Sequence, residues 1–151
     1  MSEMLGNQYF MARNYTLATA ELEKALVSSP TSKPVMCKLV ICYIQTGNTE
    51  KAFELFFTLC QEDVDFIIGM DPINDDCPCP DILPDLEKSL EQKSKSFEYL
   101  IILGMMSLYC ELNKSIKYFS LAYELDKSNT KVKYILSLLK LRLAKDELII
   151  N

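Results

Sequence analysis

One short stretch, Asp75-Asp76-Cys77-Pro78-Cys79-Pro80, sets two thiols one residue apart beside two carboxylates. Thiolates flanked by carboxylates can hold a soft or borderline cation. The spacing argues against that use. Structural zinc sites draw on two close Cys or Cys/His pairs, whereas this chain has no histidine and no second close pair of cysteines. Asp71, Ile73 and Asp75 do not form a calcium loop either, because the alternating oxygen ligands and the late bidentate Glu are missing. Redox chemistry at Cys77 and Cys79 is disfavoured by the acidic neighbours, which raise a thiol's pKa and slow its attack. The expectation is a rigid, proline-braced loop with half-buried cysteines and solvated acids at Asp71, Asp75, Asp76 and Asp81.

Other catalytic chemistry lacks its parts. Without histidine the commonest general base is gone, and no Gly-rich phosphate loop, nucleophile elbow or carboxylate pair on one helical face occurs. Catalysis would fall to Asp or Lys alone. No catalytic residue, metal or cofactor is expected, and the chain is not expected to be an enzyme.

The whole composition points the same way. A chain of 151 residues suits one domain with a sizeable core, and its 16 basic and 21 acidic side chains leave a net charge of −5. That sign disfavours electrostatic attachment to nucleic acid or to an anionic membrane. The densest apolar stretch, Tyr99 to Cys110, is too short to span a bilayer, and the first residues do not read as a signal peptide. Cys37, Cys42, Cys60 and Cys110 fall in helical patterns as small apolar residues, which fits a reducing compartment. A cytoplasmic location is expected.

The chain reads as pairs of helices. Leu5, Tyr9 and Phe10 recur at helical spacing from Ser2 to about Ala12; Arg13-Asn14 makes a tight turn, and Thr16 to Val27 forms a second amphipathic helix. Pro30 follows its end. Hydroxyls at Thr31-Ser32 can cap the next helix, with Pro34 in its first turn and Met36, Leu39, Val40 and Tyr43 along it. Gly47 supplies a left-handed stop, and Asn48 can cap a helix whose core face is Ala52, Phe53, Leu55, Phe56 and Leu59. The two pairs are an echo at an offset of 34: Leu5 returns as Leu39, Tyr9 as Tyr43, Ala18 as Ala52 and Leu22 as Phe56.

These residues resemble the tetratricopeptide repeat (TPR) family. Leu5-Gly6, Tyr9, Ala18, Leu22, Ala25 and Pro30 match its first-repeat spacing, and Leu39, Tyr43, Gly47, Ala52 and Phe56 match the second. The second repeat departs at Val40, Leu59 and Val64, where Gly, Ala and Pro are usual, and without the proline the helix is expected to run on. A third repeat starts near Phe97, with Leu103-Gly104 and then Phe119 and Ala122, if the turn at Glu111-Leu112-Asn113 is one residue shorter. The resemblance implies an all-α, right-handed superhelix of stacked antiparallel hairpins. Its parts would be repeat 1 at about 1–32, repeat 2 at about 33–66, repeat 3 at about 97–129 and a capping helix at about 130–148, all in one domain.

An irregular acidic insert at about 62–90 interrupts the period. It holds nine acids before its first base, Lys88, and four of the six prolines. Without those nine, 12 acids stand against 16 bases, while Lys114 to Lys145 carries eight bases against Glu124 and Asp126. Either the insert folds back onto the basic C-terminal helices, or two oppositely charged surfaces serve two partners.

In the TPR family the first helix of each repeat lines a concave groove. The resemblance implies groove positions at Asn7, Phe10 and Met11, at Lys38, Ile41, Ile44 and Gln45, and at Ile101, Met105, Leu108 and Tyr109. Such a groove is mostly apolar. Only Asn7 and Lys38 fit the pattern that grips a C-terminal carboxylate, so Hsp-tail recognition is not expected. An apolar groove needs a cover: a partner's amphipathic helix, a second copy of the chain, or the insert through Phe66, Ile67, Ile68, Ile82, Leu83, Leu86 and Leu90. The resulting expectation is a protein- or peptide-binding adaptor that presents this groove and the acidic loop at Asp71, Asp75, Asp76, Cys77, Cys79 and Asp81, with an acidic TPR-type chaperone for a secreted or aggregation-prone client as the alternative.

Overall fold

The computed structural model describes residues 1–92 and 96–150, apart from the side chains of 90–92 and 150, so that Leu90 of the expected insert cover lies outside the described side chains. The described residues form eight α-helices and no strand: α1 (Ser2–Met11), α2 (Tyr15–Ser28), α3 (Lys33–Gln45), α4 (Thr49–Ile68), α5 (Cys79–Gln92), α6 (Phe97–Leu108), α7 (Leu112–Leu125) and α8 (Thr130–Ile150). Among them no helix is long and apolar enough to cross a membrane. The contacts divide the chain into two compact units, Met1–Phe66 and Ile67–Asn151, where the sequence reading has a single domain.

In the first unit α1 packs on α2 and α2 on α3. The short link from Ala12 to Asn14 forces α1 and α2 to run antiparallel. Close approach is built in at Gly6, where a Cβ would lie 2.8 Å from Leu22 Cγ. Phe10, Ala18, Leu22, Leu39, Ile41, Ala52 and Phe56 are sealed from solvent.

The 34-residue echo is written in the backbone of the turns. Arg13 N–H donates to Phe10 O at 3.0 Å and Asn14 N–H to Tyr9 O at 2.9 Å; 34 residues on, Gly47 N–H donates to Ile44 O at 3.3 Å and Asn48 N–H to Tyr43 O at 2.8 Å. Both are Schellman endings, which need one left-handed residue. Gly47 supplies it at φ 82°, and Arg13 supplies it at φ 61° with its guanidinium on the Phe10 carbonyl and 6.0 Å from the Phe10 ring. Asn14 Oδ1 then caps α2 by accepting from Leu17 N–H. Ser32 stands at the N-cap of α3 without the expected side-chain bond, and Pro34 occupies the first turn.

The helix does run on past Leu59, to Ile68, but with one interruption. Asp63 leaves helical geometry inside α4 (φ −164°, ψ 83°). Its carboxylate explains the break: Oδ1 accepts from Phe66 N–H at 3.3 Å, restarting the helix as a cap, and Oδ2 accepts from Lys33 Nζ at 3.0 Å. Both bonds lie within the first unit.

In the second unit α5 packs on α6, α6 on α7 and α7 on α8. Gly104 repeats the close approach of Gly6, because a Cβ there would meet the Phe119 ring at 2.8–2.9 Å. Gly104 and Phe119 are one residue closer in sequence than Gly6 and Leu22. Ser115 Oγ donates to Gly104 O at 2.7 Å and fastens α7 to α6 at that point. Val132, Ile135, Leu136 and Leu139 of α8 are buried, and Asn129 Oδ1 caps the helix through Val132 N–H.

The insert is not irregular throughout. After Pro78 the chain turns into α5, with Ile82, Leu83 and Leu86 at helical spacing and Leu83 buried. Pro80 suits the first turn, where its missing N–H has no helical partner to lose. Pro84 lies inside the helix with its side chain exposed.

Candidate functional site

In the first unit, the short contact between α1 and α3 brings Asn7 and Lys38 together. Lys38 Nζ donates to Asn7 Oδ1 at 2.9 Å and stands 5.9 Å from the Phe10 ring, the face of which attracts a cation. Both side chains are half-buried, while Met11 and Gln45 are exposed. Phe10, Ile41 and Ile44 are buried, and so are Ile101, Met105, Leu108 and Tyr109 in the second unit. These apolar groove positions therefore serve as core in this structure. Their helical spacing was legible, but spacing alone does not tell a core face from a binding face.

Exposed large apolar side chains of the first unit lie elsewhere on α1 and, at Leu17 and Val27, on α2. Met4 (59% exposed), Leu5 (38%) and Met11 (62%) line the outward side of α1, on the opposite side from buried Gly6 and Phe10 at 100° per residue. Leu5 thus belongs to this outer strip and not to the inner packing that its match with Leu39 suggested. Met1, Ser2, Met4, Leu5, Gln8 and Glu21 enclose a shallow pocket of about 380 Å³. The recurrence of methionine and leucine at Met1, Met4, Leu5 and Met11 was the available sequence signal.

In the second unit the acidic loop organises itself. Asp71 Oδ1 accepts from Ile73 N–H at 2.8 Å, Asp71 Oδ2 accepts from Asn74 Nδ2 at 2.8 Å, and Asp75 Oδ2 accepts from Asp71 N–H at 2.8 Å. Asp76 then takes a left-handed φ of 53° and turns the chain inward. Asp75 and Asp81 are exposed, whereas Asp71 and Asp76 are half-buried. Cys77 and Cys79 are buried at 3% and 0% exposure, not half-buried as the sequence suggested. Pro78 between them is buried as well.

Their sulfurs lie 2.7 Å apart. Burial above all pushes the Cys79 thiol far up, and the influence of Cys110 and Cys77 adds to it. The hydrogen bond from Cys79 pulls exposed Cys110 below the usual thiol value against partial burial, and Lys114 adds to the pull while Glu111 and Glu87 oppose it. Among the described residues, no group of three or more Cys, Asp or Glu is arranged to hold a metal ion.

Beside Cys110 opens a pocket of about 340 Å³ with an apolar wall (Ile68, Met70, Pro72, Pro80, Leu83, Pro84, Tyr109) and a charged one (Glu87, Glu111, Lys114). Glu87 of α5 accepts from Lys114 Nζ at 3.1 Å and from Tyr118 Oη, both on α7. Here one acid of the expected insert meets one base of the C-terminal helices. Burial would raise the Glu87 carboxyl, but the Tyr118 and Lys114 bonds outweigh it and hold the group below its ordinary value.

No protein-family model matches the chain, and comparison with curated proteins finds no significant match.

Proposed function

We propose that this chain is a non-catalytic protein-binding module of TPR-like stacked hairpins, and that it receives a partner's amphipathic helix along the outward face of α1. One observation carries the reading: α1 is apolar on two opposite faces, one occupied by the core of its own unit and the other exposed at Met4, Leu5 and Met11. A helix apolar on both sides is built to be covered on both. Methionine suits such a surface, because its flexible, polarisable side chain adapts to varied contours. Asn7 and Lys38 border the strip, and the Lys38 ammonium has donors beyond the one given to Asn7, so an acidic residue beside the partner's apolar stripe complements this edge.

The stacked-hairpin arrangement draws support from the matching Schellman turns at Arg13 and Gly47 and from the paired close approaches at Gly6 and Gly104. The test is affinity capture from the native host with the intact chain and with a Met4→Glu/Met11→Glu double variant, each captured protein then being titrated in purified form. Both substitutions are at exposed positions, so folding should survive, as far-UV circular dichroism will verify. A partner that binds the intact chain and loses at least about tenfold in affinity for the variant supports the reading, since two buried apolar side chains are worth more than 1.4 kcal/mol. Partners that bind both forms equally would move the site off α1. Concentration-dependent self-association abolished by the variant would make the occupant a second copy of the chain.

A further inference from the structure

We propose that the outward face of α8 is a second docking surface, whose partner is an amphipathic helix carrying carboxylates along the edges of its apolar stripe. The inference is independent of the α1 surface and lies wholly within the second unit. It rests on how apolar and basic residues are distributed around one helix. Val132, Ile135, Leu136 and Leu139 are buried, whereas Tyr134 (42% exposed), Leu141 (66%) and Leu148 (77%) recur at a spacing of seven on the opposite side, with half-buried Leu138 between the first two. At 100° per residue these four side chains fall within about 80° of one another.

A single exposed leucine needs no explanation, but an aligned row does. The last helix of a helical stack keeps its outer face polar when water is its only neighbour there. Here α8 packs on α7 through one apolar face and carries a second apolar row on the other. Tyr134, Leu138, Leu141, Lys145 and Leu148 follow one another at alternating steps of four and three. That mean spacing of about 3.5 residues is the repeat with which one helix lies along another.

The charges select the occupant. From Thr130 to Lys145 the helix carries Lys131, Lys133, Lys140, Arg142 and Lys145 and no acid. Arg142 donates to Asp146 on the next turn, and all four lysines are exposed. Lys131 lies to one side of the apolar row, Lys133 and Lys140 to the other, and Lys145 within it. A symmetric pairing with a second copy along this row sets lysines against lysines. A lipid surface fits no better, because Lys145 stands inside the apolar row and would have to enter the acyl boundary with it. A partner helix can instead bring one carboxylate to Lys145 and others to the flanking lysines, which fixes its direction and register as well as adding affinity.

The test titrates the full chain into two dye-labelled helical peptides that share one leucine row, the first with glutamates along its edges and the second with lysines. Fluorescence anisotropy should show the glutamate-edged peptide bound at least about tenfold more tightly at low salt, with the preference shrinking as salt screens the exposed charges. Leu141→Glu should weaken that binding at least about tenfold, and a Lys140→Glu/Lys145→Glu double variant should reverse the preference between the peptides. All three positions are exposed, so folding should survive, as far-UV circular dichroism will verify. The preference should also persist in Met4→Glu/Met11→Glu, which separates this surface from α1. Loss of binding in that variant with Leu141→Glu unaffected would place the peptide on α1 and overturn the proposal. Failure to bind either peptide, or equal binding of both, overturns it too. So does self-association that Leu141→Glu abolishes, or Leu141-dependent binding to phosphatidylserine-containing vesicles that the glutamate-edged peptide does not displace.

Discussion

Replacing Gly104 by alanine pits a local gain against a packing loss whose size the geometry sets. In a helix interior alanine is favoured over glycine by about 1 kcal/mol. The added Cβ, however, would lie 2.8, 2.9 and 2.9 Å from three atoms of the Phe119 ring, whereas carbon atoms settle at about 3.5–4.0 Å. Phe119 is fully buried, and a ring cannot bend one atom out of the way. Either α6 and α7 separate, which stretches the Ser115–Gly104 bond, or Phe119 leaves its position. Overpacking of this kind costs about 1–3 kcal/mol, and the rigidity of the contact puts it near the top of that range. The net expectation is a destabilisation of about 1–2 kcal/mol, read as a lower urea midpoint at unchanged m-value. A Phe119→Leu background should absorb most of the G104A cost, giving a coupling of at least about 1 kcal/mol in a double-mutant cycle. Gly6→Ala should cost less, because its nearest contact is a Leu22 side chain that can change rotamer. An unchanged or raised midpoint for G104A, or strict additivity with F119L, would refute the steric account of how these two helices meet.

Gly47→Ala tests conformation without packing, since nothing lies within 4 Å of its would-be Cβ and only its φ of 82° resists a side chain. A loss of about 1 kcal/mol is expected after the gain from a stiffer unfolded chain, measured by the same denaturation; no loss would mean that the turn relaxes freely. Glu87 has a folded-state pKa below its ordinary 4.5, so its contribution is present above pH 4.5 and disappears as pH falls through the lowered value. Glu87→Gln should therefore be less stable than the intact chain by about 1 kcal/mol at neutral pH and converge with it in acid. A gap independent of pH would show that Glu87 does not act through its charge.

What the sequence disclosed and what it hid divide along physical lines. Local signals were legible: the positions of α1 to α3 and α6 to α8 follow from apolar spacing, and the stop at Gly47 follows from its freedom to take a left-handed backbone. Arg13 takes the same conformation at the matching position of the first hairpin. Sequence suggested only a tight turn there, because the compensating contacts with Phe10 come from the folded hairpin. The interruption at Asp63 was hidden for a similar reason, as its partner Lys33 is 30 residues distant. Helix α5 was obscured by prolines and acids, which read as loop when counted by composition. Its Pro80 falls in the first turn and Ile82, Leu83 and Leu86 keep helical spacing, so periodicity was the better guide than content. For the groove, Phe10, Ile41 and Leu108 carry the pattern shared by core and binding surface, and only burial separates the two.

Cys110 shows how a small departure from the repeat creates something the repeat does not contain. The first two hairpins turn through a left-handed residue and a Schellman ending, at Arg13 and Gly47. The α6–α7 turn does not: Tyr109 keeps right-handed helical geometry, and Cys110 and Glu111 N–H groups both donate to Ser107 O, at 2.9 and 2.7 Å. That tighter corner accompanies the one-residue shortening between Gly104 and Phe119. It also sets exposed Cys110 at the corner, beside the pocket that Pro80, Leu83 and Glu87 of α5 help to line. An inserted helix and a shortened turn, separated in sequence and each a deviation from the period, thus line one pocket. Apolar packing alone does not require a cysteine at an exposed corner, since burial is what makes a free thiol useful as a small hydrophobe.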